Sequence, residues 1–273
     1  MPTASSTESP GTETVPMYDE FSTDYDRFVD WEGRLAAEMP FILEQLRAMD
    51  ARRVLDVACG TGMHAIALAA HGFDVVGTDV SGAMIEQSRA NAEQAGVAVQ
   101  FEVAGFGELA PTLVEGTGQR SFDALLCLGN SLPHVLTARE LQNTLEDFGR
   151  CLSARGRALI QNRNFDAVLA EHDRWMGPQS YRKDESEWLF VRFYDFEPDG
   201  LLTFNVMTLH RHGMEDWHER VTSTRLWPLT QRELTDALEA AAFDEVACYG
   251  NMEGASFDVE NSPNLVAVAR MGR

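Results

Sequence analysis

Val54-Leu55-Asp56-Val57-Ala58-Cys59-Gly60-Thr61-Gly62 is a short, mostly apolar run that breaks into a glycine turn, and Met63-His64-Ala65-Ile66-Ala67-Leu68 continues it with the composition of a helix. Strand, turn and helix in that order open a βαβ unit. Gly60 and Gly62 allow a sharp reversal and close approach of a ligand to the backbone, and the helix start beyond them offers N–H groups to an anion. The next apolar run ends on Asp79. A carboxylate there is placed to accept from both hydroxyls of a ribose, as in dinucleotide sites.

Outward from this turn the chain alternates regularly. Strands are expected over Arg53 to Ala58, Asp74 to Asp79, Val99 to Val103, Phe122 to Leu128 and Arg157 to Gln161, with helices over Gly62 to His71, Ser81 to Gln94 and Ala138 to Leu152. Short apolar strands separated by helices of this length give a parallel sheet buried on both faces. After Asn164 the pattern changes to three antiparallel strands, Glu187 to Phe196, Leu201 to His212 and Trp217 to Trp227, the first pair joined by a Glu-Pro-Asp-Gly turn at 197–200. They are read as a cap over the carboxyl edge of the sheet. A helix over Gln231 to Ala242 and strands near Glu245 to Tyr249 and Asn264 to Ala269 complete the sheet.

The domain reading is accordingly a disordered tail over 1–16, a helical lid over 17–50, an α/β core over 51–164 and 228–273, and the cap over 165–227. The tail is rich in Ser, Thr, Glu and Pro and has little to bury. In the lid, Tyr18, Phe21, Tyr25, Phe28 and Trp31 recur near helical spacing, and a second helix is expected over Trp31 to Met49. The formal charge of -21 repels nucleic-acid backbones, and no concentrated basic patch offsets it. Lys183 is the only lysine, and the acidic surface would suit a salty cytoplasm. No apolar run approaches the roughly 20 residues of a membrane span, and the amino terminus has no signal-like segment. A cytoplasmic location follows as the expectation, with Cys59, Cys127, Cys151 and Cys248 reduced.

Gly60-x-Gly62-x-x-Ala65 also satisfies the fingerprint of dinucleotide-binding dehydrogenases. Asp56 separates the two readings. An acid four residues before the first glycine suits a cationic amino-acid head group, whereas a dehydrogenase strand stays apolar to the turn. Asp56-Val57-Ala58-Cys59-Gly60-Thr61-Gly62 resembles motif I of the class I S-adenosylmethionine-dependent methyltransferases. Gly129-Asn130-Ser131-Leu132-Pro133-His134 resembles the Gly-Asn-Ser-x-x-His loop of the glycine and sarcosine N-methyltransferases, and Asn162-Arg163-Asn164-Phe165-Asp166 resembles their His-Arg-Asn-Tyr-Asp.

That resemblance implies a Rossmann-like methyltransferase sheet, mostly parallel with an antiparallel last strand, that binds S-adenosylmethionine. It implies Arg34 on the methionyl carboxylate, Ala58, Gly60 and Gly62 beside the methionyl portion, Asp79 on the ribose, and Leu128 and His134 closing the pocket. Met84 joins the cofactor pocket as an apolar residue. Tyr18 and Tyr25 correspond to aromatics that close over the cofactor. Where the family carries an Asn-Trp pair at the adenine, this chain has Gly105-Phe106, and Phe106 supplies an apolar face. The acceptor falls to Asn130, Arg163 and Tyr181, and a substrate-contacting tyrosine of the family is replaced near Met207 or Thr208.

Methyl transfer from a sulfonium to an amine is an in-line displacement that asks for alignment and exclusion of water, with no metal. Arg163 is read as a carboxylate clamp and Asn130 as the group that orients the amine. No side chain is assigned as general acid or base, so loss of the amine proton to solvent and a basic pH optimum are expected. The reading is an N-methyltransferase of glycine or sarcosine, in betaine-type osmolyte synthesis. The alternative acceptor is another small amine such as an amino sugar, whose N,N-dimethyltransferases share the Asp-Val-Ala-Cys-Gly-Thr-Gly-Met-His string. The expected partners are the small-molecule amine and, as a candidate, further copies of the chain, with neither nucleic acid nor membrane.

Overall fold

The computed structural model describes residues 25–115 and 121–272. The expected tail over 1–16, together with Tyr18 and Phe21, lies outside the described residues.

A helical turn over 25–28 leads into helix α1 (Trp31–Arg47), whose amino end is capped by Asp30 through the Gly33 N–H at 3.1 Å. Its buried face, Met39, Phe41, Ile42, Leu43 and Leu46, packs against the core sheet. The chain then runs β1 (Arg53–Val57), α2 (Met63–Ala70), β2 (Asp74–Asp79), α3 (Gly82–Ala95), β3 (Gln100–Val103), α4 (Leu109–Leu113), β4 (Phe122–Cys127), α5 (Ala138–Cys151) and β5 (Leu152–Arg163). It continues through α6 (Phe165–Glu171), β6 (Gln179–Lys183), β7 (Ser186–Phe196), β8 (Leu202–His212), β9 (His218–Leu226), α7 (Gln231–Ala240), β10 (Phe243–Tyr249) and β11 (Asn264–Met271).

Seven strands form one sheet in the order β10-β11-β5-β4-β1-β2-β3, and β11 alone runs antiparallel to its neighbours. β1 lies between β2 and β4, both parallel to it. The chain progresses one way from β1 to β3 and the other way from β4 to β5, so the order reverses between β1 and β4. The carboxyl ends of those two strands are where a ligand crevice forms in an open α/β sheet. Alternation along β1 sends Leu55 and Val57 into the core shared with Leu125, Phe148 and Ile160, and Val54 into the core shared with Ile42, Leu68 and Phe101.

The cap is a separate antiparallel sheet in the order β6-β7-β8-β9. It has four strands, where three are expected from the sequence. The additional strand, β6, reads Gln-Ser-Tyr-Arg-Lys and shows no apolar alternation. It is held by its pairing with β7, from Gln179 opposite Phe190 to Lys183 opposite Ser186, and its charged outer end suits an edge strand. α4 and α6 are likewise too short to leave a helical period. β5 begins at Leu152 rather than Arg157, because the strand continues through an irregular stretch where Arg155 has φ +69°.

The cap meets the core at the carboxyl-edge loops. The Trp227 N–H donates to the Pro133 carbonyl at 2.8 Å, and Tyr194 packs on Phe165 with ring centres 6.1 Å apart. Among the described residues no helix is long and apolar enough to cross a membrane.

Candidate active site

The glycine turn is built on left-handed backbone. Ala58, Gly60 and Gly62 have φ of +53°, +56° and +79°. A Cβ on Gly62 would lie 2.8 Å from both Phe101 Cζ and Ser88 Cβ, so close packing of α3 and β3 requires glycine there. Gly60 has room instead, and the nearest atom to its missing Cβ is Tyr25 Cε1 at 3.6 Å. A tyrosine ring thus forms a roof over the turn.

Asp79 anchors this turn to the next crossover. One carboxylate oxygen accepts from the Gly60 N–H and the other from the Ser81 N–H, each at 2.9 Å. Beneath the turn, Asp56 is buried and accepts from the Ala65 N–H, while its Oδ2 has no protein partner. Burial pushes the Asp56 carboxyl up to about 6 despite the opposing charges of His64 and Arg34.

Arg34 enters from α1. Its Nε donates to both oxygens of Glu38 at 3.2 Å, its guanidinium stacks 5.2 Å from the Trp31 ring centre, and it donates to the Tyr25 hydroxyl. Its Nη2 lies 3.3 Å from where a Cβ on Gly129 would be, so glycine there is what lets the guanidinium reach the loop after β4. Glu38 in turn receives His64 Nε2 at 2.7 Å and Gln161 Nε2 at 3.2 Å, and Gln161 Oε1 accepts from the Gly129 N–H at 3.1 Å. One carboxylate therefore joins α1, the helix of the glycine turn and the end of β5. Asp26 makes a parallel connection, accepting from Thr61 Oγ1 at 2.6 Å and Trp31 Nε1 at 2.9 Å.

On the β4–β5 side, Asn130 has φ +67°, donates its N–H to the Gln161 carbonyl at 3.1 Å, and accepts from the Arg163 N–H at 2.9 Å through Oδ1. The second lone pair of that oxygen can accept from an amine. Arg163 is half-buried, its Nη2 is 3.8 Å from Asp173 Oδ2, and its Nε is buried without a partner. Leu128 is buried beside Arg34's loop, and His134 closes the one-turn helix Leu132–His134. Burial pushes His134 down to about 4, which keeps its imidazole neutral.

Tyr25, Arg34, Ala58, Gly60, Gly62, Asp79, Leu128 and Gly129 thus gather at the carboxyl ends of β1, β2 and β4, with Asn130 and Arg163 one strand over. Met84 is fully buried at the start of α3, its N–H donating to Ser81 Oγ at 3.1 Å. Gly105 is buried, and Phe106 sets its ring edge-on to Phe148 at 5.9 Å. Tyr181 packs with Tyr25 and Phe28 on the Phe190 cluster of the cap. It pairs with Trp188, six residues along β7 from Tyr194, a separation of about 20 Å at strand rise. Tyr194 is the phenol that feels the charge of Arg163. Met207 pairs with Val221 on one face of the cap, whereas Thr208 is buried on the other beside Phe190. Sequence reasoning missed Asp26, Glu38, His64, Gln161 and Tyr194. Only the Arg34 to Glu38 spacing of one helical turn hints at a pair.

Residues 54–156 match the family model described as a methyltransferase domain. The chain is 34% identical to a glycine/sarcosine N-methyltransferase of Parasynechococcus marenigrum (strain WH8102), over 92% of this chain and 83% of that protein. A second, from Halorhodospira halochloris, is 26% identical over 90% of this chain and 86% of that protein. Among solved structures, the sugar N-methyltransferase KedS8 from Streptoalloteichus superposes with a TM-score of 0.72 at 20% identity, covering 100% of both chains. That likeness establishes the fold.

Proposed function

The chain belongs to the glycine/sarcosine N-methyltransferase family, and from that premise we propose that it transfers the methyl group of S-adenosylmethionine to the amine of glycine, sarcosine or both. The observation that carries the acceptor reading is the fixed relation of Asn130 to Arg163. The Asn130 carboxamide accepts from the Arg163 backbone N–H, so a side-chain oxygen able to orient an amine and the residue that carries the guanidinium are tied together at one strand end.

The residues around the glycine turn suit the methyl donor. Gly60 and Gly129 leave space that a Cβ would fill, Arg34 offers a guanidinium for a carboxylate, and the unpartnered oxygen of buried Asp56 suits a positive group above it. Asp79 stands at the carboxyl end of β2, where ribose hydroxyls would reach it, and Phe106 offers a ring face to the adenine. When bound, the donor supplies an electrophilic methyl on a sulfonium. The chain aligns the acceptor amine with it and, through Tyr25, Trp31 and the cap, keeps water out.

Neither His134 nor Tyr194 is assigned as a base. His134 is held neutral with a very weak basicity, and burial raises Tyr194 to about 12. The amine proton leaves to solvent before closure, helped by the Arg163 charge, and activity rises with pH toward the amine's own ionisation. The acidic surface, with a formal charge of -21, supports a role in betaine-type osmolyte synthesis.

The test is transfer from labelled S-adenosylmethionine to glycine, sarcosine and dimethylglycine by the wild type and an Arg163→Ala variant. Turnover of glycine or sarcosine that collapses in the variant is expected. Tight donor binding with no turnover of any of the three would overturn the acceptor reading and point to larger amines.

A further inference from the structure

Arg192 stands at the centre of β7, two residues from Phe190 and two from Tyr194, so the three side chains leave the same face of the cap. Phe190 and Tyr194 are buried, and Phe28 lies against this row, its ring 5.4 Å from that of Phe190 and 4.8 Å beneath the Arg192 guanidinium. The Nε of Arg192 is buried without a partner, and so is the Nε of Arg163. The carboxylate nearest Arg163, Asp173, stops at 3.8 Å, longer than a hydrogen bond. Both guanidiniums act on the Tyr194 hydroxyl, and Arg192 is held below its ordinary value by burial first and by the Arg163 charge as well.

Two cations on different sheets that both act on one tyrosine, each with an unanswered N–H, are costly unless an anion answers them. We propose that Arg192 is a second carboxylate-binding residue of the acceptor site, so that the acceptor carboxylate is shared between Arg163 on the core sheet and Arg192 on the cap. This rests on the amino-acid reading above and deepens it. The acceptor class narrows to amines that carry a carboxylate close to the nitrogen, because an uncharged amino sugar would leave both guanidiniums uncompensated. Phe28 beneath Arg192 fixes its height, and the planar fork suits a shared carboxylate better than an ammonium does.

Arg192→Met and Arg192→Lys variants of the full chain test this, with KM for glycine, kcat, the inhibition constant of acetate and the dissociation constant of S-adenosylmethionine as readouts. The expected result for Arg192→Met is a roughly 10- to 100-fold rise in glycine KM and in the acetate constant. Donor affinity should stay within about twofold, since Arg192 is not in the donor pocket, and Arg192→Lys should recover part of the loss. Unchanged glycine KM and acetate inhibition in a variant that only melts earlier would overturn the proposal and leave Arg192 a prop for Phe28. Should the wild type turn over none of the three amines, acetate stabilisation followed by thermal melting decides separately: loss of that stabilisation in Arg192→Met supports a carboxylate site, and its persistence overturns one.

Discussion

Glu38 Oε2 and His64 Nε2 lie 2.7 Å apart, joining α1 to the first turn of α2, the helix after the glycine turn. Burial pushes the Glu38 carboxyl up, but the His64 hydrogen bond, the Arg34 and His64 charges and the Gln161 amide outweigh it and hold the group below its ordinary value. A depressed carboxyl contributes stability above its unfolded pKa and loses it as pH falls through the folded value.

A Glu38→Gln substitution keeps the shape and removes the charge that orients Arg34. Donor dissociation, measured by calorimetry, is expected to weaken by roughly tenfold, the cost of one charge-assisted hydrogen bond. KM for glycine should move less, because Asn130 and Arg163 keep their own contact. Equal weakening of both would show that Glu38 serves only the fold.

Asp56 makes donor binding depend on pH. Its folded pKa is about 6, raised by burial from an ordinary 3.8. A raised carboxyl binds more protons folded than unfolded, so the free protein loses stability as pH rises from about 4 to 6. A positive donor group near Asp56 favours its ionised form, so donor affinity should rise between about pH 5 and 7 with proton release on binding. The check is calorimetry in buffers of different ionisation heat, and Asp56→Asn should flatten the dependence.

His134 titrates near 4 because it is buried, so it carries no charge over the working range. A His134→Asn variant is expected to lower activity through packing while leaving the acidic limb of the kcat/KM profile where the wild type has it. Loss of a limb near pH 6.5 in the variant would reveal a base at that position.

Gly62 and Gly72 both have positive φ, +79° and +90°, but of the two only Gly62 has neighbours within 3 Å of where a Cβ would lie, Phe101 and Ser88, while Gly72 has none within 4 Å. Gly72→Ala should therefore cost about 1–2 kcal/mol from backbone strain alone. Gly62→Ala adds overpacking of about 1–3 kcal/mol. Chemical denaturation of the two variants separates the contributions.

Much of the fold is legible in the sequence because its parallel strands are short apolar runs and its turns carry glycine, as Val54 to Gly62 and Asp74 to Asp79 show. β6 is illegible for the opposite reason: Gln179 to Lys183 owe their strand to β7 rather than to any pattern of their own. The site divides similarly. Gly60, Gly62 and Asp79 are readable because backbone geometry restricts what can stand there. Glu38 and Gln161 are 123 positions apart and meet only after folding, so neither announces the other.

The turn over 25–28 grips two bodies at once. Tyr25 roofs Gly60 and Asp26 is hydrogen bonded to Thr61, while Phe28 is pressed on Phe190 and Arg192 of the cap. Lifting the turn away from the glycine loop would also strip the cap of its packing, so a disturbance at either body is felt by the other.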